Sequence, residues 1–348
     1  MKLSKTALLA LIIAASTAFH ISCSWDKVVL DRVKSSISLK EAAAKELFDK
    51  DKITVILIGT GTPIPSDNIQ NSTAVFVNGQ FLVFDSGDGV AMAMEKQHLP
   101  ITDINGIFIT HFHSDHFADL GEVIDRSWLL GRRNNLTVYG PKGTSELVSG
   151  FLKSYKLEYG YRTKHHGEEA MPSQWKGAIA NEFSLKADGS SKVVYEKDGV
   201  IVRSFYVNHE PVEPAVGYRI EYKGKSIVIS GDTADSENLT KHSIGADLLI
   251  SEAMNKSLVA KIEKAYELLG IERFRKIMKD IQFYHIDVEE LGRLAEKSKV
   301  KTLVVTHMIP AAKGFFQVKS FYKDPLRKEF SGNLIIGQDG QKIILPLD

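Results

Sequence analysis

A single cysteine, Cys23, excludes an intrachain disulfide, so the folded chain must be held by its core and by any metal it binds. No charge of one sign dominates. Lys and Arg number 44 against 43 Asp and Glu, a net charge of +1, which excludes a global field that draws in nucleic acid or an anionic membrane. Long apolar runs are missing as well: the one uninterrupted stretch, 7–15 with a weaker extension to Phe19, falls short of the roughly 20 residues of a comfortable membrane span. Gly59-Thr60-Gly61 lacks the Gly-Lys-Ser/Thr that a P-loop needs, so it reads as a tight turn. There is no internal repeat and no low-complexity segment. What remains is 348 residues, 43% hydrophobic and 25% charged, the profile of a globular protein long enough to bury a sizeable core.

The N-terminus reads as separate from the fold. Lys2 and Lys5 before the short apolar run form the n-region and h-region of a secretory signal. Ile21-Ser22-Cys23-Ser24 resembles a bacterial lipoprotein cleavage site, with His20 where such sites carry Leu. Acylation at Cys23, cleavage after Ala18 or Ser22 and an uncleaved anchor all export the protein, to the periplasm or to a lipid anchor on the cell envelope. Contact with a membrane is expected only through Cys23. The domain reading is a leader over 1–23, a charged spacer with a leading helix near 39–48 over 24–51, and a folded body over 52–348.

Within the body, 53–58 reads as a strand, and 73–77 and 81–84 form a hairpin about Asn78-Gly79. Asp85-Ser86-Gly87-Asp88-Gly89 closes it, followed by a helix over 90–97, a strand over 107–110 and a helix over about 117–130. The region 140–189 is irregular. Strands are expected over 200–207, 216–222 and 226–230. Strands over 247–250 and 302–305 then alternate with helices over 257–269 and 288–297, which together imply an α/β layered sandwich. The late basic residues Lys313, Lys319, Lys323, Arg327 and Lys328, interleaved with Phe and Tyr, read as a solvated face.

Against this background Thr110-His111-Phe112-His113-Ser114-Asp115-His116 is the chemical signal. Three imidazoles and a carboxylate in six residues follow directly on an apolar strand. Alternate residues of an extended segment face the same way, so His111 and His113 can grip one ion while the following turn brings Asp115 and His116 to a second. Farther on, His209, Asp232, His285 and His307 each stand at or just beyond an expected strand end, where a ligand is held rigidly yet open to substrate.

On these motifs the chain resembles the metallo-β-lactamase-fold hydrolases, over about 53–346, in the branch that includes tRNA 3′-processing endonucleases and arylsulfatase-like secreted hydrolases. The resemblance implies a four-layer αββα sandwich. It implies one metal held by His111, His113 and His209, a second held by Asp115, His116 and His307, and Asp232 bridging both. It also implies Asp85 as the buried support of the histidine loop and His285 as an acid beside the leaving group, with Asp287 feeding it. Zinc suits the imidazole-rich set, with manganese or iron admitted by the carboxylates. Ser251-Glu252-Ala253 stands where this branch usually has His-Glu-Ala. His165 and His166, with Arg162, resemble a substrate-contacting segment of the arylsulfatase-like relatives.

Only 22 residues separate His209 from Asp232, room for a hairpin and not for the long arm of the tRNA-processing enzymes. The expectation is therefore an exported binuclear hydrolase of small anionic esters, a phosphodiester or an aryl sulfate. Asp115 orients a metal-bridging hydroxide and His285 serves as acid, with no nucleic acid as partner. The alternatives are a lactonase or other carboxylic-ester hydrolase on the same site, and a non-catalytic periplasmic metal- or ligand-binding protein. A homodimer is common among such relatives, although nothing in the chain shows an interface.

Overall fold

The computed structural model describes residues 5–64, 66–186 and 188–347, without the side chains of residues 5–24 and 40. The leader and the acylation expected at Cys23 rest on side chains outside the described residues. The chain divides into two units, residues 1–46 and 47–348. Of the first, the structure describes one helix, α1 (Lys5–Leu47), whose end Glu41-Ala42-Ala43-Ala44-Lys45-Glu46-Leu47 is made of strong helix formers. Among the described residues no helix is long and apolar enough to cross a membrane.

The second unit is built on two seven-stranded sheets. The first takes β1 (Lys52–Gly59), β2 (Ser72–Val77), β3 (Gln80–Phe84), β4 (Ile104–Phe108), β5 (Thr137–Pro141) and β6 (Ile179–Phe183). The second takes β7 (Ser191–Lys197), β8 (Val200–Tyr206), β9 (Val216–Tyr222), β10 (Lys225–Ile229), β11 (Leu248–Met254), β12 (Thr302–Ile309) and β13 (Asn333–Ile336). A last strand, β14 (Gln341–Pro346), returns to pair antiparallel with β1.

Parallel neighbours need crossovers, and helices supply them on the outer faces. In the first half these are α2 (Val90–Lys96), α3 (Ser114–Phe117), α4 (Leu120–Leu129), α5 (Thr144–Ser154) and α6 (Lys156–Ala170). In the second half they are α7 (Glu237–Ser243), α8 (Lys256–Leu268), α9 (Glu272–Asp280), α10 (Val288–Lys297), α11 (Gly314–Val318) and α12 (Asp324–Glu329). The result is the expected four-layer αββα sandwich.

Alternation within the strands splits their side chains between two cores. Val55, Leu57, Leu82 and Phe84 meet Tyr218, Ile220, Ile227 and Ile250 between the sheets, while Ile56, Ile58, Phe81 and Val83 turn outward beneath α2 and α4. Phe108 stacks on Phe84 at 4.8 Å and meets the edge of Tyr218 at 5.6 Å. Burying each such ring stabilises the fold by about 1.5–3 kcal/mol. The central strands β11 and β12, covered on both faces, are buried almost throughout, as their continuous apolar sequence requires.

This core also seats the histidine loop. The Tyr218 hydroxyl donates to the Ile109 carbonyl at 2.6 Å, and the Val216 N–H donates to the Thr110 carbonyl at 3.0 Å. The end of β4 is thus pinned to the facing sheet immediately before His111. The 209–232 spacing is filled by the β9–β10 hairpin.

The region 140–189, expected to be irregular, is largely helical. In α6 only Tyr159 is buried, so the apolar periodicity that reveals a helix is missing there. His307 was expected beyond a strand, yet it lies inside β12. Thr306 pairs with Glu252 and Met308 with Ala253, so His307 is the extra residue of a bulge at φ 44°.

Candidate metal centre

The loop after β4 carries His111, His113, Asp115 and His116, and four more strand ends or loops converge on it. His209 follows β8, Asp232 follows β10, Glu252 lies in β11 and His307 in β12. Gly231 allows one close approach. At φ 64° it turns Asp232 into the site, and a Cβ there would stand 2.9 Å from the Val216 carbonyl. Gly87 does the same beneath Asp115, whose carbonyl would be 2.1 Å from an added Cβ.

Asp85, fully buried and at φ 60°, supports the loop from below. Its carboxylate accepts from the Thr110 N–H at 2.8 Å, the Thr110 hydroxyl at 2.9 Å and Asn71 Nδ2 at 3.2 Å, and it meets His116 Nδ1 at 2.8 Å. Because that contact holds the proton on Nδ1, the lone pair of His116 Nε2 points inward, toward Asp115 at 3.5 Å and Asp232 at 3.4 Å. His209 is oriented alike: Nδ1 donates to the Tyr284 carbonyl at 2.8 Å, leaving Nε2 directed at His113 Nδ1, 3.2 Å away. His111 Nε2 lies 3.2 Å from the same His113 nitrogen.

Inward lone pairs facing one another, and facing carboxylates, repel unless positive charge lies among them. Two donor sets result, His111, His113, His209 and Asp232 in one and Asp115, His116, Asp232 and His307 in the other, each with ligand atoms within 4.8 Å of one another. Buried His116 Nε2 has no hydrogen-bond partner, which is the orphan a metal ion would satisfy. The donors therefore fit two metal ions sharing Asp232.

The electrostatics agree. Burial pushes His111 well below the usual imidazole range and takes His209 down to about 4, so both are neutral donors near pH 7. Burial opposes charge at His116 and His307 too, but the neighbouring carboxylates outweigh it. Asp232, Asp115 and Asp85 hold His116 well above its ordinary value, and Asp232 and Asp115 raise His307 to about 9. Asp115 and Asp232, despite burial, are held far below the carboxylate range by His116 and His307. This half of the site demands positive charge.

Sequence reasoning passed over one participant, Glu252. It is buried, 2.8 Å from His285 Nδ1, and accepts from the Thr233 N–H at 2.8 Å. Burial and the neighbouring Asp232 push its carboxyl well up, while burial takes His285 down to about 4. The two form a neutral couple. The only sequence signal was an acidic residue in an apolar strand, Ser251-Glu252-Ala253. Asp287, expected to feed His285, instead caps α10 and accepts from the Lys256 N–H.

A cavity of about 230 Å³ opens over the donors. His113, Asp115, Asp232, His285 and His307 line one side, and Ile64, Ile277, Met278, Ile281, Tyr284 and Ile309 make an apolar wall. Arg162, His165 and His166 are not brought to it. They lie on α6, where Arg162 pairs with Glu158 and the two imidazoles stack in the open, because α6 packs on the outer face through Tyr159 against Trp128.

Residues 65–248 match the Metallo-beta-lactamase superfamily. The chain is 32% identical over 295 residues to ribonuclease Z of Mycolicibacterium paratuberculosis (strain ATCC BAA-968 / K-10), covering 84% of this chain and 98% of that protein. Ribonuclease Z of Mycolicibacterium gilvum (strain PYR-GCK) is 34% identical over 262 residues, covering 74% and 85%. Among solved structures, human tRNase Z, short form, superposes with TM-score 0.60 at 23% identity over 83% of this chain and 98% of that one. The metallo-β-lactamase fold protein YhfI of Bacillus subtilis gives 0.58 at 18% over 85% and 100%.

Relatives named ribonuclease Z overturn the expectation of an arylsulfatase-like hydrolase of small anionic esters, and with it the exclusion of nucleic acid. Both expectations rest on absences. A charge sum over the whole chain does not resolve a local basic face, and a short 209–232 spacing removes an arm but no part of the metal centre.

Proposed function

This chain belongs to the metallo-β-lactamase superfamily, in its tRNase Z-like branch, and from that premise we propose that it is a metal-dependent endonuclease cleaving a phosphodiester bond of RNA. What carries the reading is one arrangement. Two donor sets share Asp232, and four of their members, His113, Asp115, Asp232 and His307, line a cavity together with His285, which Glu252 backs, and with an apolar wall. Zinc is the metal best suited to donors so rich in imidazole.

His111, His113 and His209 would hold one ion, Asp115, His116 and His307 the other, and Asp232 both. Ions bound there supply Lewis acidity to a phosphate oxygen and lower the pKa of water. The chain's own groups do the rest. Asp115, kept ionised and lining the cavity, accepts a hydrogen bond from the attacking water and so orients it. As the P–O bond to the departing ribose oxygen breaks, His285 Nε2–H donates its proton to that oxygen. Glu252 passes its own proton to His285 Nδ1, so the couple is not left with a buried imidazole anion. The apolar wall accepts the face of a nucleobase beside the scissile phosphate and sheds water from the site.

The test is incubation of the zinc- or manganese-loaded protein with a 5′-labelled tRNA transcript carrying a 3′ extension. A single cut that releases the extension is expected. A protein that binds two metal equivalents and cuts no RNA at any such site would refute the reading.

A further inference from the structure

Beyond the cavity, the segment from Lys313 to Lys328 combines two features that its sequence alone assigned to solvent. Phe315 and Phe316, on α11, are 72% and 82% exposed, with their rings 5.7 Å apart and edge to face. The same segment carries Lys313, Lys319, Lys323, Arg327 and Lys328 against one acid, Asp324. Lys319 pairs with Asp324, and Arg327 donates to the Gly332 carbonyl. Lys323 and Lys328 are exposed and have no hydrogen-bond or ion-pair partner among the described residues.

The segment also begins at the rim of the site. Ile309 lines the cavity, and four residues later, no more than about 14 Å along the chain, comes Lys313. Lys313 Nζ reaches Asp67 Oδ2 at 2.6 Å, in the same loop as Thr62, Pro63 and Ile64, which line the cavity. Exposed aromatic rings and free cations carried on one segment are what a single-stranded nucleic acid recognises, since every base has a face to stack and every linkage a charge.

We infer that the Lys313–Lys328 segment is the docking surface for the unpaired RNA strand that runs from the cavity, with bases stacked on Phe315 and Phe316 and phosphates met by Lys323 and Lys328. The inference rests on the RNA reading above and places the part of the substrate that the metal centre does not touch.

Two variants of the metal-loaded protein test it, F315A/F316A and K323E/K328E. Each is assayed on a 3′-extended transcript and on bis(p-nitrophenyl) phosphate, a probe too small to reach the segment. Each variant should raise KM for the RNA by about tenfold or more with the small probe unchanged. The lysine variant should also flatten the slope of log affinity against log salt by about 1.4. Unchanged KM for RNA in both variants overturns the inference. So does an equal loss on both substrates, which would mark a structural role. Failure of the unaltered protein to cut RNA at all would refute the RNA reading itself, an outcome separate from either.

Discussion

Replacing Asp85 by Asn removes a charge and almost no volume, and its consequence can be worked from four contacts. The carboxylate meets the Thr110 N–H, the Thr110 hydroxyl, Asn71 Nδ2 and His116 Nδ1, all buried. An amide has one accepting oxygen. With its NH2 toward the Oδ2 side, it faces the donors Asn71 and His116 and the Thr110 hydroxyl, of which only the hydroxyl can turn to accept. Turned the other way, it faces only the Thr110 N–H, the better arrangement, which still orphans one buried donor. A lost hydrogen bond to a charged acceptor is worth about 1.5–3 kcal/mol, so urea unfolding of the metal-free D85N protein should show a loss of that order. The weaker hold on His116 should reduce affinity at one of the two metal positions by about 10–100-fold, read by competition with a chromogenic chelator. Metal affinity at both positions within twofold of the unaltered protein would refute the claim that Asp85 orients His116.

Asp232→Ala should lose at least one metal equivalent by elemental analysis and nearly all turnover; a protein that keeps both ions would sink the bridging assignment. His285→Ala should keep its metal but slow RNA cleavage by roughly 10²–10⁴-fold, and slow the activated bis(p-nitrophenyl) phosphate much less, because nitrophenolate leaves without a proton. Equal losses on both would argue against a proton donor. Asp125, on α4 and outside the lining of the cavity, is raised to about 6 by burial and by Glu158 and Glu122. Its folded pKa lies above its unfolded value of 3.8, so it takes stability away as pH rises from about 4 through 6. Asp125→Asn should therefore stabilise the protein at pH 8 relative to pH 4, by about 1 kcal/mol after allowance for solvent screening, and an equal effect at the two pH values would show that the carboxyl titrates normally.

The site behaves as one object because its donors come from strands of both sheets. Tyr218 and Val216 tie the histidine loop to the facing sheet, and Gly231 lets the Asp232 turn press against Thr110. A shift of either sheet moves ligands of both ions together, so stability of the inter-sheet core and metal affinity should fall in step when Phe84 or Phe108 is truncated.

The amino-acid sequence by itself determined the candidate metal donors and the layers. Three imidazoles and a carboxylate within six residues leave little else for the loop after β4 to do, and strands with two apolar faces must lie between helices. Only the tertiary structure decided what depends on approach across the chain. Glu252 and His285 are 33 residues apart, yet their side chains meet at 2.8 Å because β11 runs against the loop before α10. His165, His166 and Arg162 look like a site in one dimension, but α6 carries them to the outer face. The basic, aromatic segment after β12 is a solvated face when read alone, but its first residue, Lys313, is tied through Asp67 to the loop whose Thr62, Pro63 and Ile64 line the cavity. Short-range spacing is written in the order of residues, whereas proximity between distant segments is set by which apolar faces bury each other, and no local pattern records it.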